Sequence, residues 1–98
     1  MKQKGVAVKG PWVVGHNYFI RTVTMALMGK LVGVGENELV LKDASWIADT
    51  GRYMNFLENK PTSSLEVEPY PEGLDVIVGR GGVIDAVEWK YPLLRSQK

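Results

Sequence analysis

The sequence has no cysteine and only one histidine, His16, among its 98 residues. The absence of cysteine excludes disulfides, thiolate nucleophiles and cysteine-ligated zinc, and a single histidine excludes a multi-histidine metal site. A Ser-His-Asp triad would have to use His16, which lies between Gly15 and Asn17 in a predicted loop and has no visible nucleophile partner. We therefore predict that the protein is not an enzyme and needs no metal or other cofactor.

Long apolar runs are also missing. The longest stretch without a charged residue spans 10–20, where Pro11, Gly15 and polar residues interrupt it, so it is too short to cross a membrane. The first ten residues contain three lysines and lack the apolar core of a signal peptide. The sequence therefore predicts a cytoplasmic protein with no membrane partner.

The length limits the size of the hydrophobic core. A chain of 98 residues forms one domain, and a domain of this size buries about 60–65% of its unfolded surface. Three Trp, four Tyr, two Phe and four Met are a large apolar load for such a core. We therefore expect a homo-oligomer built from a single β domain, 1–98, with basic flexible tails at about 1–9 and 92–98.

The charges are distributed unevenly. The net charge is +1, but residues 10–89 contain six basic and eleven acidic side chains, a net charge of −5 that the two ends of the chain offset. A nucleic-acid groove requires a clustered basic face, because phosphate neutralisation supplies most of the affinity. The charge pattern therefore disfavours nucleic acid as a partner and leaves room for a small anionic ligand held by a few arginines.

The residue pattern predicts a mainly β fold. Aromatic and β-branched runs favour strands, and the turn signal at 35–37 predicts a hairpin between two of them. The glycines at 79–82 predict a tight hairpin turn, and the alternation at 64–68 places Glu66 and Glu68 on a solvated face. We expect a small, strongly bent five- to six-stranded sheet or barrel with one short helix. The predicted strands are 18–25, 28–34, 38–43, 64–68, 74–78 and 83–89, and the predicted helix is 53–58, capped by Asp49 or Thr50.

Two segments combine residue types that bind a small nucleotide. In the first strand, a guanidinium and a neighbouring hydroxyl could hold a phosphate. In the segment 49–53, a glycine permits close approach of a ligand, Thr and Arg supply donors, and two nearby aromatic rings could stack on a base. The predicted ligand-binding residues are Arg21, Thr22, Trp46, Thr50, Gly51, Arg52, Tyr53 and Arg80.

Each of these residues also has a structural interpretation. Arg21 could be a strand arginine paired with a neighbouring carboxylate, and 49–53 could be an ordinary turn. Trp46 and Tyr53 could then belong to the core, as large aromatic residues usually do in a small domain.

The segments 29–44 and 78–89 resemble Sm-like proteins. The first is similar to the second and third strands of an Sm protein, and the second is similar to the Arg-Gly turn between its last two strands. This resemblance implies a strongly bent five-stranded barrel that assembles into a ring and binds RNA.

A second resemblance covers most of the chain. Arg21-Thr22, Gly29, the run 39–47, Thr50-Gly51 and the final 83–89 are similar to a family of roughly 100-residue proteins found mainly in phages. Small oligomeric β proteins of phages include the anti-CBASS and anti-Thoeris sponges. By this analogy the chain is expected to bind and sequester a cyclic nucleotide immune messenger at an oligomer interface. The alternatives are an Sm-like RNA-binding ring and a protein-binding inhibitor module.

Overall fold

The computed structural model describes residues 10–60 and 62–98. In this part of the chain six antiparallel strands form one sheet, and one short α-helix follows the third strand. The mainly β fold with a short helix is thereby confirmed. Among these residues, no helix has the length and apolar character that crossing a membrane requires. The elements are β1 (Asn17–Thr22), β2 (Ala26–Val34), β3 (Glu38–Asp49), α1 (Tyr53–Leu57), β4 (Glu66–Pro69), β5 (Val76–Gly79) and β6 (Val83–Glu88).

The sheet is open and does not close into a barrel. Its strands follow the order β4-β3-β2-β1-β6, and β5 pairs with the first half of β3. Over the described residues β5 and β6 do not pair with each other, because each lies at a different edge. The barrel alternative is therefore wrong. The hairpin turn predicted at 79–82 is also wrong, since Arg80–Gly82 forms a 3-10 helix that connects the two edges.

The predicted hairpin at 28–43 is confirmed as the β2–β3 pair. Its turn is closed by the Gly35 N–H, which donates to the Glu38 carbonyl at 2.8 Å. Leu39 and Leu41 are fully buried on one face, as the alternation of apolar and polar residues predicts.

Strand β3 is longer than the sequence pattern indicates, since it continues to Asp49 instead of ending at Asp43. Asp43 has a φ of 52°, and the β2–β3 register shifts here, so the residue forms a bulge rather than the end of the strand. Gly29 of β2 makes this bulge possible. A Cβ at Gly29 would lie 3.1 Å from the Leu41 Cβ and 3.2 Å from the Ala44 Cβ, closer than side chains normally pack.

Both faces of the sheet carry a hydrophobic core. Successive residues of a strand point to opposite faces, so Tyr18 and Ile20 join one cluster while Phe19 joins the other. Helix α1 contributes Phe56 to the second cluster. The first cluster contains Tyr18, Ile20, Leu27, Leu31, Leu39, Leu41, Ala44 and Val78, and the second contains Phe19, Met28, Ile47, Phe56, Val67 and Trp89.

The C-terminal segment lies against the sheet. Leu93 and Leu94 pack on the second core cluster, and Ser45 Oγ donates a 2.6 Å hydrogen bond to the Leu94 carbonyl. The backbone groups of Lys98 and Val67 exchange two hydrogen bonds of 3.0 Å. The sequence-based prediction of a flexible tail at 92–98 did not include these contacts. Burial of Leu93 and Leu94 against the second core cluster favours them. The tail predicted at 1–9 lies outside the described residues.

Candidate ligand-binding site

The eight residues predicted to bind a ligand do not form one cluster. Arg21 and Tyr53 come together on the face that α1 covers, and residues 50–52 lead into this helix. Trp46 lies on the opposite face, because its cross-strand partner is Leu27 of the first core cluster and paired residues share a face. The predicted site is therefore divided between two surfaces.

Arg21 is held by a carboxylate that sequence reasoning did not connect to it. Its Nε and Nη2 donate to Asp85 Oδ1 and Oδ2 at 2.8 and 2.5 Å, and its guanidinium lies 4.8 Å from the centre of the Tyr53 ring. The hydrogen bonds to Asp85 raise the pKa of Arg21 and lower the pKa of Asp85, while burial raises the pKa of Tyr53. Asp85 occupies the Nε and Nη2 donors that would form a two-point fork with a phosphate, so the carboxylate-paired alternative describes the geometry.

Thr22 and Arg80 hold turns together. Thr22 Oγ1 donates to the Met25 carbonyl at 2.9 Å and accepts from the Met25 N–H at 3.1 Å, which closes the β1–β2 turn. Arg80 Nη1 donates to the Gly35 carbonyl at 2.6 Å and fastens the 3-10 helix to the β2–β3 turn. Both side chains are engaged within the fold, and their contact with a ligand stays a prediction.

The segment before α1 forms a tight turn around a glycine. Gly51 has a φ of 69°, in the left-handed region that favours glycine, and its N–H donates to Asp49 Oδ1 at 2.8 Å. The helix N-cap is Arg52. The predicted cap at Asp49 or Thr50 is therefore wrong, because the Asp49 carboxylate stabilises the turn that precedes the helix.

A pocket of about 280 Å³ lies beside α1 on the same face of the sheet. The chain leaves the helix at Asn59, whose φ of 59° reverses its direction, and returns past the turn at Gly51. The pocket is lined by Thr50, Phe56, Asn59, Lys60, Thr62, Leu65, Trp89, Leu94 and Lys98, and we call it the α1 pocket.

A buried hydroxyl lies in the wall of the α1 pocket. Thr62 Oγ1 is buried and has no hydrogen-bond partner among the described residues. A Cβ on Gly51 would lie 2.0 Å from this oxygen. Glycine is therefore required both by the positive φ and by the close packing of the Gly51 backbone against Thr62. An unpaired buried hydroxyl costs about 1–3 kcal/mol.

The α1 pocket combines polar donors with an apolar floor. Thr50 Oγ1 donates to the Gly51 carbonyl at 2.8 Å, and Lys60 Nζ lies 3.0 Å from Glu58 Oε1 in a well-exposed ion pair. The floor contains Phe56 and Trp89, whose ring centroids are 5.0 Å apart. No side chain among the described lining residues is acidic, so the pocket suits an anion.

The surface around Trp46 has the opposite character. Trp46 is 42% exposed and is paired across the β3–β4 ladder with Glu68. A cavity of about 410 Å³ lies here, and its lining residues are Met25, Trp46, Glu68, Pro69, Tyr70 and Pro71. We call this surface the Trp46 groove.

Sequence reasoning found Thr50 in the α1 pocket but missed Lys60, Thr62 and Lys98. The segment 59–62 indicated only the end of a helix, and the return of Lys98 to the sheet depends on distant contacts. No protein-family model, curated protein or solved structure matches the chain. Within residues 10–60 and 62–98, no three His, Asp or Glu side chains are grouped so that they could hold a metal ion. The described lining of the α1 pocket offers hydrogen bonds and ammonium groups for binding.

Proposed function

We propose that this protein binds and sequesters a small nucleotide without catalysing a reaction, and that the α1 pocket holds a phosphate of the ligand. The observation that carries the proposal is the lining of this pocket. Two lysines, two threonines and an asparagine surround an apolar floor, and Thr62 Oγ1 lacks a partner among the described residues.

Phosphate oxygens match these donors. The Lys60 and Lys98 ammonium groups provide charge-assisted hydrogen bonds, which are about twice as strong as neutral ones. The Asn59 amide provides a neutral donor. The exposed ion pair between Lys60 and Glu58 is weak in water, so Lys60 can exchange its carboxylate partner for a phosphate at little cost.

The size of the pocket suggests that it is part of a larger site. Its volume of about 280 Å³ lies at the lower limit of small-molecule sites, which span about 300–1,000 Å³. Phe56 and Trp89 are each 3% exposed, so they form a floor and offer little open ring surface for a base. We propose that a second copy of the chain completes the site in a homo-oligomer, with Met54 of α1, which is 62% exposed, in the interface.

The ligand class follows from the resemblance to phage proteins. We propose a cyclic oligonucleotide immune messenger that is sequestered in the cytoplasm of the host. An Sm-like classification of the sheet belongs to the same proposal. It is supported by the β2–β3 hairpin, which overlaps 29–44, and by β6, which lies within 78–89.

Isothermal titration calorimetry against a panel of cyclic di- and trinucleotides tests the proposal. At least one member should bind, and Lys60→Ala should weaken its binding about tenfold or more, because a charge-assisted hydrogen bond is lost. Lys30→Ala, which removes an exposed lysine of β2, is the matched control and should change the affinity less than twofold. Absence of binding to every member, or equal losses for the two variants, would contradict the proposal.

Arg52→Ala extends the same experiment to the helix N-cap. Arg52 is exposed and lies two residues after Thr50 of the α1 pocket. A loss of affinity in Arg52→Ala would show that the ligand reaches beyond the pocket toward this end of α1, as the sequence predicts. An unchanged affinity would confine the phosphate site to the pocket.

A further inference from the structure

The Trp46 groove has the composition of a site for a cationic group. Its walls are the indole of Trp46, the ring of Tyr70 and the thioether of Met25, and Glu68 lies directly across the strand pair from Trp46. Aromatic faces attract cations through the negative potential of their ring surface, and the indole face is the strongest of them. A carboxylate beside these rings adds a counter-ion.

The charges around the groove favour a cation over an anion. Glu68 is the one residue among its described lining residues that carries a charge at neutral pH, so a phosphate would be repelled. Arg95 donates through its guanidinium to the carbonyls of Ala44 and of Tyr70, a residue of the groove. Because both hydrogen bonds engage Arg95 with the backbone, Glu68 remains available to an incoming cation.

The groove continues into a second cavity, and this continuity indicates an extended occupant. The second cavity has a volume of about 330 Å³, shares Met25 and Tyr70 with the groove, and has no charged residue in its described lining. It runs between the β1–β2 turn and β5, where Val23 is 74% exposed and Val76 packs against the first core cluster. An occupant that fills both cavities therefore needs apolar side chains next to its cation.

We propose that the two cavities bind an extended segment of a partner protein that carries a lysine or arginine next to apolar residues. The cationic side chain lies between Trp46, Tyr70 and Glu68, and the apolar residues contact Val23 and Val76. This site is on the opposite face of the sheet from the α1 pocket, so the proposal is independent of nucleotide binding.

The Trp46 indole N–H resonance in a ¹H–¹⁵N spectrum of the whole protein tests this proposal. The resonance is assigned by its loss in Trp46→Phe. The probe is the capped peptide Ser-Val-Thr-Lys-Val-Ser, and the control is the same peptide with glutamine in place of lysine. The lysine peptide should shift the resonance in a saturable titration, and the glutamine peptide should bind about tenfold more weakly, since the cation–π and ionic contacts are lost.

Glu68→Gln and Glu66→Gln are the matched variants, because both residues are exposed on β4 and lie two positions apart. Glu68→Gln should weaken binding of the lysine peptide about fivefold or more, while Glu66→Gln should leave it unchanged. An unmoved Trp46 resonance, or equal affinity for the two peptides, would overturn the proposal. A shift of this resonance with protein concentration alone would also overturn it, because the occupant would then be a second copy of the chain.

Discussion

The α1 pocket and the Trp46 groove lie on opposite faces of one sheet and use aromatic residues differently. In the pocket, Phe56 and Trp89 are each 3% exposed and form a closed floor beneath hydroxyl and ammonium groups. In the groove, Trp46 is 42% exposed beside a carboxylate. Buried rings contribute mainly to stability, whereas an exposed ring within a cavity is available for recognition. The same residue type therefore has different roles on the two faces.

The two surfaces also differ in charge. Lysines line the α1 pocket, and Glu68 lines the Trp46 groove. A net charge of +1 for the whole chain conceals this division. A small sheet with a core on each face can therefore present an anion-binding surface on one face and a cation-binding surface on the other.

The largest expected difference between the two surfaces is in stability. Phe56→Ala should destabilise the protein by about 3–5 kcal/mol, because it removes a fully buried ring from the second core cluster. Trp46→Ala should cost only about 1 kcal/mol, since the ring is already partly in water. Urea unfolding followed by circular dichroism gives both values. Equal losses would break the distinction between a structural floor and a recognition surface.

The turn that borders the α1 pocket should be the next most sensitive position. Gly51→Ala should destabilise the protein by about 1–3 kcal/mol, because alanine is strained at a φ of 69° and its Cβ would lie 2.0 Å from Thr62 Oγ1. Gly81→Ala is the control, since no described heavy atom lies within 4 Å of the added Cβ. Thermal unfolding of the two variants should differ by several degrees. A neutral Gly51→Ala would show that the wall of the pocket moves easily.

Removal of the buried Thr62 hydroxyl should have the opposite effect on stability. Thr62→Val should stabilise the protein without ligand by about 1 kcal/mol, because it removes an unpaired buried oxygen. Thr24→Val, at an exposed position of the β1–β2 turn, should change stability by less than about 0.5 kcal/mol. Loss of stability in Thr62→Val would mean that the hydroxyl serves the fold alone.

Local patterns predicted much of the sheet. The alternation at 38–43 and the turn at 35–37 located the β2–β3 hairpin, because both signals depend on neighbouring residues. The sequence pattern placed the end of β3 too early, because aspartate is a residue type that favours turns. The role of Asp43 as a bulge depends on Gly29 of another strand. The open sheet depends on which edges β5 and β6 join, and no local pattern specifies that choice.

The candidate site was less predictable for the same reason. Thr50 and Gly51 were found because they are close in sequence, but Lys98 reaches the α1 pocket only through hydrogen bonds with Val67 of β4. Asp85 joins Arg21 through the pairing of the first and last strands. Contacts between distant residues determine which donors are free to bind a ligand, and a single sequence does not contain them.

The smallest expected effect concerns the Arg21–Asp85 pair, which lies on the α1 face outside the pocket. The hydrogen bonds from Arg21 make the pKa of Asp85 lower in the folded chain than in the unfolded one, so the ionised carboxylate favours folding. This contribution is complete above the unfolded pKa of about 3.9 and is lost as the pH falls through the lower folded value. Because the two side chains are 43% and 46% exposed, water screens the pair and the effect is small.

Asp85→Asn should therefore lower the urea midpoint slightly at pH 7, and the difference from the original protein should disappear in strongly acidic buffer. Asp75→Asn is the control, because its carboxylate makes a single 3.7 Å contact with Lys42 Nζ instead of a two-point fork, and its effect at pH 7 should be smaller still. A difference that persists unchanged at low pH would show that Asp85 acts through shape rather than charge. Asp85→Asn also frees the Arg21 guanidinium, so a gain in nucleotide affinity in this variant would extend the anion-binding surface from the α1 pocket to Arg21.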